Sequence, residues 1–122
     1  MTKKDTFIIN RIKSIKYAFK GALLLIKTES SIKTQVFIGI IMTIFGYFIG
    51  LSSTEWILQT LTIGFIISIE SINTVIEEIA DFIHPEYHPK IGLIKDLAAG
   101  AVFIFAVIAI LVGCIIYFPK IF

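Results

Sequence analysis

The chain has 122 residues, of which 57% are hydrophobic, and its formal net charge is +2. A chain of this length holds one domain at most, and a mean hydropathy of +0.91 is outside the usual range of soluble globular domains. The small net charge argues against nucleic acid as a partner, and a single cysteine, Cys114, excludes disulfide scaffolds and cysteine metal sites. We therefore expect one membrane domain over residues 1–122.

The first predicted element is an amphipathic helix over residues 5–28. Its apolar residues recur at steps of three and four, as on one helical face: Ile8, Ile12, Ile15, Phe19, Leu23 and Ile26. Cations occupy mainly the rest of its surface. Such a helix lies in the membrane interface, with its cations among anionic headgroups. A helix packed on a soluble domain is the alternative, which the apolar remainder of the chain disfavours.

Three longer apolar segments follow, and we predict transmembrane helices at about 33–51, 55–84 and 96–118. A hydrocarbon core of about 30 Å needs roughly 20 helical residues. The run Ala98–Phe118 has no charged residue, and the run Val36–Leu51 is just long enough with its flanks. The middle segment spans the membrane only if it carries its acidic residues inward.

Small residues recur at helical spacing in the first and third predicted spans. They are Gly39, Gly46 and Gly50, then Ala99, Ala106, Ala109 and Gly113. In lipid, small residues let helix backbones approach closely. The pattern predicts a helical bundle, formed within one chain or between several.

Basic residues are concentrated before the first predicted span. That region holds eight of the eleven: Lys3, Lys4, Arg11, Lys13, Lys16, Lys20, Lys27 and Lys33. An excess of Lys and Arg near short loops marks the cytoplasmic side, so we expect the N-terminus inside. Three spans then place the loop at 51–55 and the C-terminus outside.

Two prolines separate the second span from the third. Pro85 and Pro89 predict that the second helix ends near His84, and Asp96 is a predicted N-terminal cap of the third. His84 and His88 are four residues apart, but Pro85 breaks the helix between them. We therefore do not expect these two histidines to share a metal ion.

Acidic residues interrupt the middle segment in the stretch ESINTVIEEIAD, residues 70–81. At about 100° per residue, its polar groups share an arc of about 100°, with isoleucines on the opposite side. The polar groups are Glu70, Asn73, Thr74, Glu77, Asp81 and His84. A charge near the bilayer centre costs about 2.5–3.5 kcal/mol on insertion scales, so such residues normally face protein or water and mark function.

The depth of these acids predicts their chemistry. Glu70 falls roughly 9 Å inside the cytoplasmic boundary, where a carboxylate can accept a proton from a lipid hydroxyl. Glu77, at the boundary, is better placed to bind Mg²⁺ with a triphosphate, and Glu29 is the candidate second ligand. Lys95 and Asp96 add charges at the same surface, although taken individually a snorkelling cation and a helix cap are the simpler explanations.

Two classes of function remain open on these grounds. One is phosphoryl transfer to a lipid, without a P-loop because no such motif occurs. The other is a non-enzymatic helical bundle or an ion pathway. A pathway needs polar groups across the whole membrane, whereas this polar face ends about halfway.

The stretch ESINTVIEEIAD, followed by HPEYHPKIGLIKDLAAGAV, resembles the signature of the prokaryotic diacylglycerol kinase family, which includes undecaprenol kinases. The signature is Glu-x-x-Asn-(Ser/Thr)-x-Ile-Glu-x-x-x-Asp, then a linker, then Lys-Asp before small residues. The resemblance implies a homotrimer of three-span subunits in the bacterial inner membrane, with active sites between neighbouring chains. It implies that the γ-phosphate of MgATP passes to a lipid alcohol, first of all diacylglycerol, giving phosphatidic acid, with undecaprenol as the alternative.

The resemblance also implies residue roles. By position, Glu70 is the catalytic base and a lipid contact, Asn73 is its polar neighbour, and Glu77 with Glu29 binds Mg²⁺ and nucleotide. Further implied nucleotide contacts are Arg11, Tyr17, Glu86, Tyr87, His88, Lys95 and Asp96, and further implied lipid contacts are Ala99 and Lys33.

This chain departs from the family pattern after Glu29. Ile32 and Lys33 stand where the family usually has an aromatic residue and an arginine. Lysine cannot make the bidentate contact of an arginine.

Overall fold

The computed structural model describes the backbone of residues 3–122 and the side chains of residues 6–122. Lys3 and Lys4, used in the topology prediction, therefore have side chains outside the described residues. Residues 3–122 form four helices: α1 (Lys3–Thr28), α2 (Ser30–Ile49), α3 (Ser53–Ile83) and α4 (Pro89–Ile121). The predicted all-α class is confirmed for this part of the chain.

The ends of α3 follow from local side-chain chemistry. At the start, the Ser52 hydroxyl accepts a hydrogen bond from the Glu55 N–H, while the Glu55 carboxylate accepts one from the Ser52 N–H. This capping box satisfies two of the free N–H groups at the helix start. At the other end His84 is the C-terminal cap, directly before Pro85, as predicted.

The prediction that Asp96 caps α4 is wrong. The helix begins at Pro89, and its cap is His88, whose Nδ1 accepts a hydrogen bond from the Lys90 N–H at 3.1 Å. Proline suits the first turn because its fixed φ is helical and its missing N–H would have had no partner there. Asp96 consequently lies inside the helix.

Close approach at small residues is confirmed on α2. A Cβ atom on Gly39 would lie 2.8 Å from the Ile63 side chain of α3, and one on Gly46 would lie 2.7 Å from Leu51. Gly50 has a different role, because it ends α2 in the left-handed region with φ of 82°. The prediction that Gly50 serves helix packing is therefore replaced by a conformational role.

The small residues of α4 behave differently. Nothing lies within 4 Å of a Cβ atom built on Gly113. Together with Ala106 and Ala109, Gly113 borders a cavity of about 370 Å³ between α2, α3 and α4. Close packing by this stripe between several chains stays a prediction.

One end of the bundle, where α2 ends, α3 begins and α4 ends, is tightly packed; we call it the closed end. Its cluster consists of Leu51, Ile116 and Tyr117, with Met42, Ile49, Trp56 and Val112 against it. The Tyr117 hydroxyl donates to the side-chain oxygen of Gln59, and Gln59 Nε2 donates to the Met42 carbonyl at 3.1 Å. Lys120 and Glu55 add an ion pair of 3.0 Å between α4 and α3.

Within residues 3–122, two helices, α2 and α4, are long and apolar enough to cross a membrane. Large apolar side chains on both are exposed in the single chain, for example Phe48 at 79% and Ile115 at 71%. Contiguous exposed apolar surface of this kind is covered by lipid or by another chain. The third span, on α3, stays a prediction.

Candidate active site

The polar face of α3 is continuous because the helix runs unbroken through residues 70–81. Asn73 is only 7% exposed, while Glu70 and Glu77 are partly buried. Asn73 Nδ2 donates a hydrogen bond to Glu77 Oε1 at 3.2 Å, which orients that carboxylate. Thr74 is also 7% exposed, and its hydroxyl donates to the Glu70 carbonyl at 3.2 Å.

Asn73 carries a second feature. Its Oδ1 atom is buried and has no hydrogen-bond partner among the described residues. Leaving a buried acceptor unsatisfied costs about 1–3 kcal/mol, so native proteins seldom keep one without a reason. The Oδ1 atom therefore lacks a donor, which the described part of the single chain does not supply.

A cavity of about 780 Å³ separates the end of α1 from α3. Its polar lining consists of Thr28, Glu29, Thr74 and Glu78, and its apolar lining includes Leu24, Leu25, Val75, Ile79, Phe82 and Ile83. The structure therefore brings Glu29 to the side of α3 on which Thr74 lies. We call the region of this cavity and the polar face of α3 the open end.

Glu78 is the cavity residue that the sequence interpretation passed over. It lies about 80° from Glu70 around α3, outside the polar arc, although it follows Glu77 directly. Its neighbour across the cavity, Glu29, comes from the junction of α1 and α2. A sequence pattern confined to one helix could not indicate that this pair lines one cavity.

The predicted metal ligands are both oxygen donors. Among residues 6–122 no group of three or more His, Cys, Asp or Glu side chains forms a metal cage. Mg²⁺ typically takes one or two carboxylates and completes its shell with substrate phosphates and water. Glu77, oriented by Asn73, and Glu29 are donors of this kind, but the cavity that Glu29 lines is bordered on α3 by Glu78 and not by Glu77, so their pairing as Mg²⁺ ligands stays a prediction.

Lys95 is engaged by a residue of the polar face. Its Nζ lies 2.5 Å from Asp81 Oδ1, and the two side chains are 36% and 55% exposed. The pair ties α4 to α3 just before the uncharged run of α4. The hydrogen bond to Asp81 raises the pKa of Lys95 above its ordinary value. Asp96, the next residue, is exposed.

The loop between α3 and α4 holds three further candidates. Glu86, Tyr87 and His88 are all exposed, and Tyr87 is 85% exposed. A ring nitrogen of His84 lies 2.7 Å from the Glu86 carbonyl oxygen, and His88 caps α4. These contacts fix the loop backbone and leave the Glu86 and Tyr87 side chains at its surface.

The structure places the two candidates of α1 far from the acids of the same chain. Arg11 and Glu29 are separated by about 27 Å along the helix, at 1.5 Å per residue. The Arg11 guanidinium stacks over Phe7 at 5.7 Å, and Tyr17 is 69% exposed. The roles of Arg11 and Tyr17 as nucleotide contacts stay predictions.

The two remaining candidates are the predicted lipid contacts. Lys33 lies one turn into α2 and Ala99 lies on α4, and both are exposed. Neither takes part in the contacts described above.

The four helices and the polar face of α3 define the class of protein. It is a helical membrane protein with carboxylates near one end of its helices. The sequence profile described as prokaryotic diacylglycerol kinase matches residues 16–117. The undecaprenol kinase of Bacillus subtilis (strain 168) is 37% identical over 92% of this chain and 92% of its own length. The diacylglycerol kinase of Haemophilus influenzae is 28% identical, covering 94% and 98%. That of Escherichia coli (strain K12) is 23% identical, covering 95% of each.

The chain belongs to the prokaryotic diacylglycerol kinase family. It is a kinase, a phosphotransferase that acts on a lipid. Of the two classes that the sequence left open, the enzyme is therefore the right one.

Proposed function

We propose that this kinase transfers the γ-phosphate of ATP to the primary hydroxyl of a membrane lipid alcohol at the cytoplasmic surface of the bacterial inner membrane. The observation that carries the proposal is the face of α3 that presents Glu70, Asn73 and Glu77. Phosphoryl transfer depends mostly on positioning and on neutralising charge. This face offers a proton acceptor and a metal ligand about 10.5 Å apart along the helix, one for each substrate.

In this proposal Glu70 is the general base. In the proposed topology it lies on the membrane side of Glu77, and its side chain is partly buried in the single chain. Its carboxylate accepts the hydroxyl proton as the alcohol oxygen bonds to the γ-phosphorus and the bond to the β-phosphate oxygen breaks. In this proposal Asn73 supports the reaction by orienting the Glu77 carboxylate through its Nδ2 donor.

Glu77 and Glu29 would hold Mg²⁺. When bound, the ion neutralises charge on the triphosphate. The hydrogen bond from Asn73 keeps the Glu77 carboxylate in one orientation, which favours binding of a metal with strict geometry. The remaining nucleotide contacts are assigned to Arg11, Tyr17, Glu86, Tyr87, His88, Lys95 and Asp96.

The assembly proposed for the enzyme is a homotrimer with sites between neighbouring chains. Three features of the single chain support sharing: the unpartnered Asn73 Oδ1, the distance between Arg11 and Glu29, and the exposed apolar faces of α2 and α4. In the proposed topology α1 lies on the cytoplasmic surface and α2, α3 and α4 cross the membrane. The open end is then cytoplasmic, and the closed end and the C-terminus are external.

For the lipid we propose undecaprenol, with diacylglycerol as the second candidate. The relative at 37% identity is an undecaprenol kinase, whereas the diacylglycerol kinases compared above are 23% and 28% identical. This order reverses the expectation from the sequence alone. Both lipids present a primary alcohol near headgroup depth. Ala99 and Lys33 are the proposed lipid contacts in addition to Glu70.

Radiolabel transfer from MgATP by the purified protein tests both parts of the proposal. With undecaprenol and diacylglycerol assayed side by side, we expect faster labelling of undecaprenol; faster labelling of diacylglycerol would reverse the assignment. Glu70→Gln keeps the size of the side chain, and we expect it to reduce labelling by about 10²–10⁴-fold while the protein still inserts and folds. Normal turnover by this variant would remove Glu70 from the mechanism.

A further inference from the structure

Asp81 is the one acid of the polar face that the proposed mechanism leaves without a task. It follows Glu77 by four residues, so it lies on the same side of α3, one turn or about 6 Å further along. Its carboxylate Oδ1 binds the Lys95 ammonium at 2.5 Å. The contact joins a cation from α4 to the face of α3 that carries the predicted metal ligand.

We propose that Asp81 is a positioning residue that holds the Lys95 ammonium beside Glu77, ready to meet the triphosphate. The inference rests on the proposed function and adds to it the residue that places the nucleotide-binding cation.

The chemistry of lysine explains why such a residue is needed. Lysine carries a compact charge on a flexible four-carbon stem, and it reaches many positions unless a partner selects one. Lys95 begins on a different helix from Glu77, and its direction is set by the contact with Asp81. Glu77 lies one turn of α3 before Asp81 on the same face, so an ammonium held at Asp81 lies on the side of the predicted metal ligand.

An alternative role of the ion pair between Lys95 and Asp81 is to hold α3 and α4 together, but this explanation is weaker. Half-exposed ion pairs contribute about 0–1 kcal/mol to stability in most measurements. The same two helices are already joined at the closed end by Lys120 and Glu55, whose side chains are only 27% and 23% exposed. An ion pair that served stability alone would not need to lie on the face of α3 that carries the acidic residues of the open end.

Steady-state kinetics of the full chain, reconstituted with its lipid substrate, test the inference. In Asp81→Asn the carboxylate charge is lost at nearly constant size, and we expect the KM for MgATP to rise about tenfold, with kcat and the KM for lipid within about twofold of wild type. Asp81→Glu keeps the charge but moves it by one methylene, so its KM for MgATP should lie between those of wild type and Asp81→Asn.

Glu55→Gln is the matched control. It breaks the ion pair at the closed end, while glutamine still serves in the capping box at the start of α3. We expect its KM for MgATP to equal that of wild type.

The inference is overturned if Asp81→Asn has an unchanged or lower KM for MgATP, or if Glu55→Gln raises that KM as much. If Asp81→Asn does not fold, a KM for Asp81→Glu equal to wild type overturns it as well. Failure of the proposed function looks different, because wild type itself would then transfer no phosphate to lipid.

Discussion

The two ends of the α3–α4 pair are each joined by one ion pair, yet they differ in how completely they are built. At the closed end the nitrogen and the oxygen of the Gln59 side-chain amide are both hydrogen-bonded, and the neighbouring apolar side chains form a cluster. At the open end a cavity of about 780 Å³ remains and Asn73 Oδ1 has no partner in the described chain. The comparison shows that the buried amide is fully hydrogen-bonded at the closed end, although Gln59 and Tyr117 also border the cavity of about 370 Å³. By contrast, a buried polar atom lacks a partner among the described residues where substrates are proposed to bind.

After Glu70→Gln, the largest expected effect comes from Glu77→Gln at the open end. Glutamine keeps a hydrogen-bond partner for Asn73 but is a poor Mg²⁺ ligand, so we expect lipid phosphorylation to fall on the order of 100-fold. The Mg²⁺ concentration for half-maximal activity should rise, because the remaining ligands bind the ion more weakly. The free energy of unfolding should stay close to wild type, since Glu77 is partly exposed.

Glu78→Gln is the control for that change. It alters the same charge one residue further on, at a position that lines the cavity but lies outside the polar arc. An equal loss of activity in both variants would mean that the total charge of the open end matters, and not the particular carboxylate of Glu77.

An intermediate effect, on stability, is expected from Gly46→Ala at the closed end. The new methyl group would lie 2.7 Å from Leu51 Cδ1 and 3.2 Å from Trp56. Overpacking of this kind costs about 1–3 kcal/mol. Unfolding in mixed detergent micelles should show that loss, while the activity of the folded fraction stays near wild type.

Gly64→Ala serves as the comparison, because nothing lies within 4 Å of a Cβ atom there. It should be neutral or slightly stabilising, as alanine is the better helix former. If Gly46→Ala were equally harmless, the closed end would be less tightly packed than the distances indicate.

The smallest effect is expected from Tyr117→Phe. This variant removes the hydroxyl that donates to Gln59 and leaves the amide oxygen of Gln59 without its donor. Hydrogen bonds between membrane helices contribute about 0.6 kcal/mol on average and about 1.7 at most, so the loss of stability should fall in that range. A fall in kcat without a fall in stability would contradict the separation of the two ends.

Local patterns in the sequence predicted much of the closed end and of α3. The close approach at Gly39 and Gly46 and the end of α3 at His84 follow from residue size and from proline geometry, which depend little on the rest of the chain. The start of α4 was mispredicted because Asp96 is a good cap residue in general, whereas Pro89 can begin a helix seven residues earlier.

The open end was harder to predict, since it joins separate segments. Spacing within α3 places Glu70 and Glu77 on one face, but it does not show that Glu29 and Glu78 line one cavity. Likewise, Lys95 was predicted to contact nucleotide, and the structure adds that Asp81 holds it. The helical period predicts where residues lie around their own helix, but it does not predict which residues of a neighbouring helix they face.

The sequence by itself determined the helical class, the polar face of α3 and the family, because each depends on residue types at fixed spacing along the chain. Only the tertiary structure decided which side chains meet across helices: the pairing of Lys95 with Asp81, the contact between Tyr117 and Gln59, and the cavity beside Glu29. Such contacts depend on how the helices pack against one another, and short-range periodicity does not encode that arrangement.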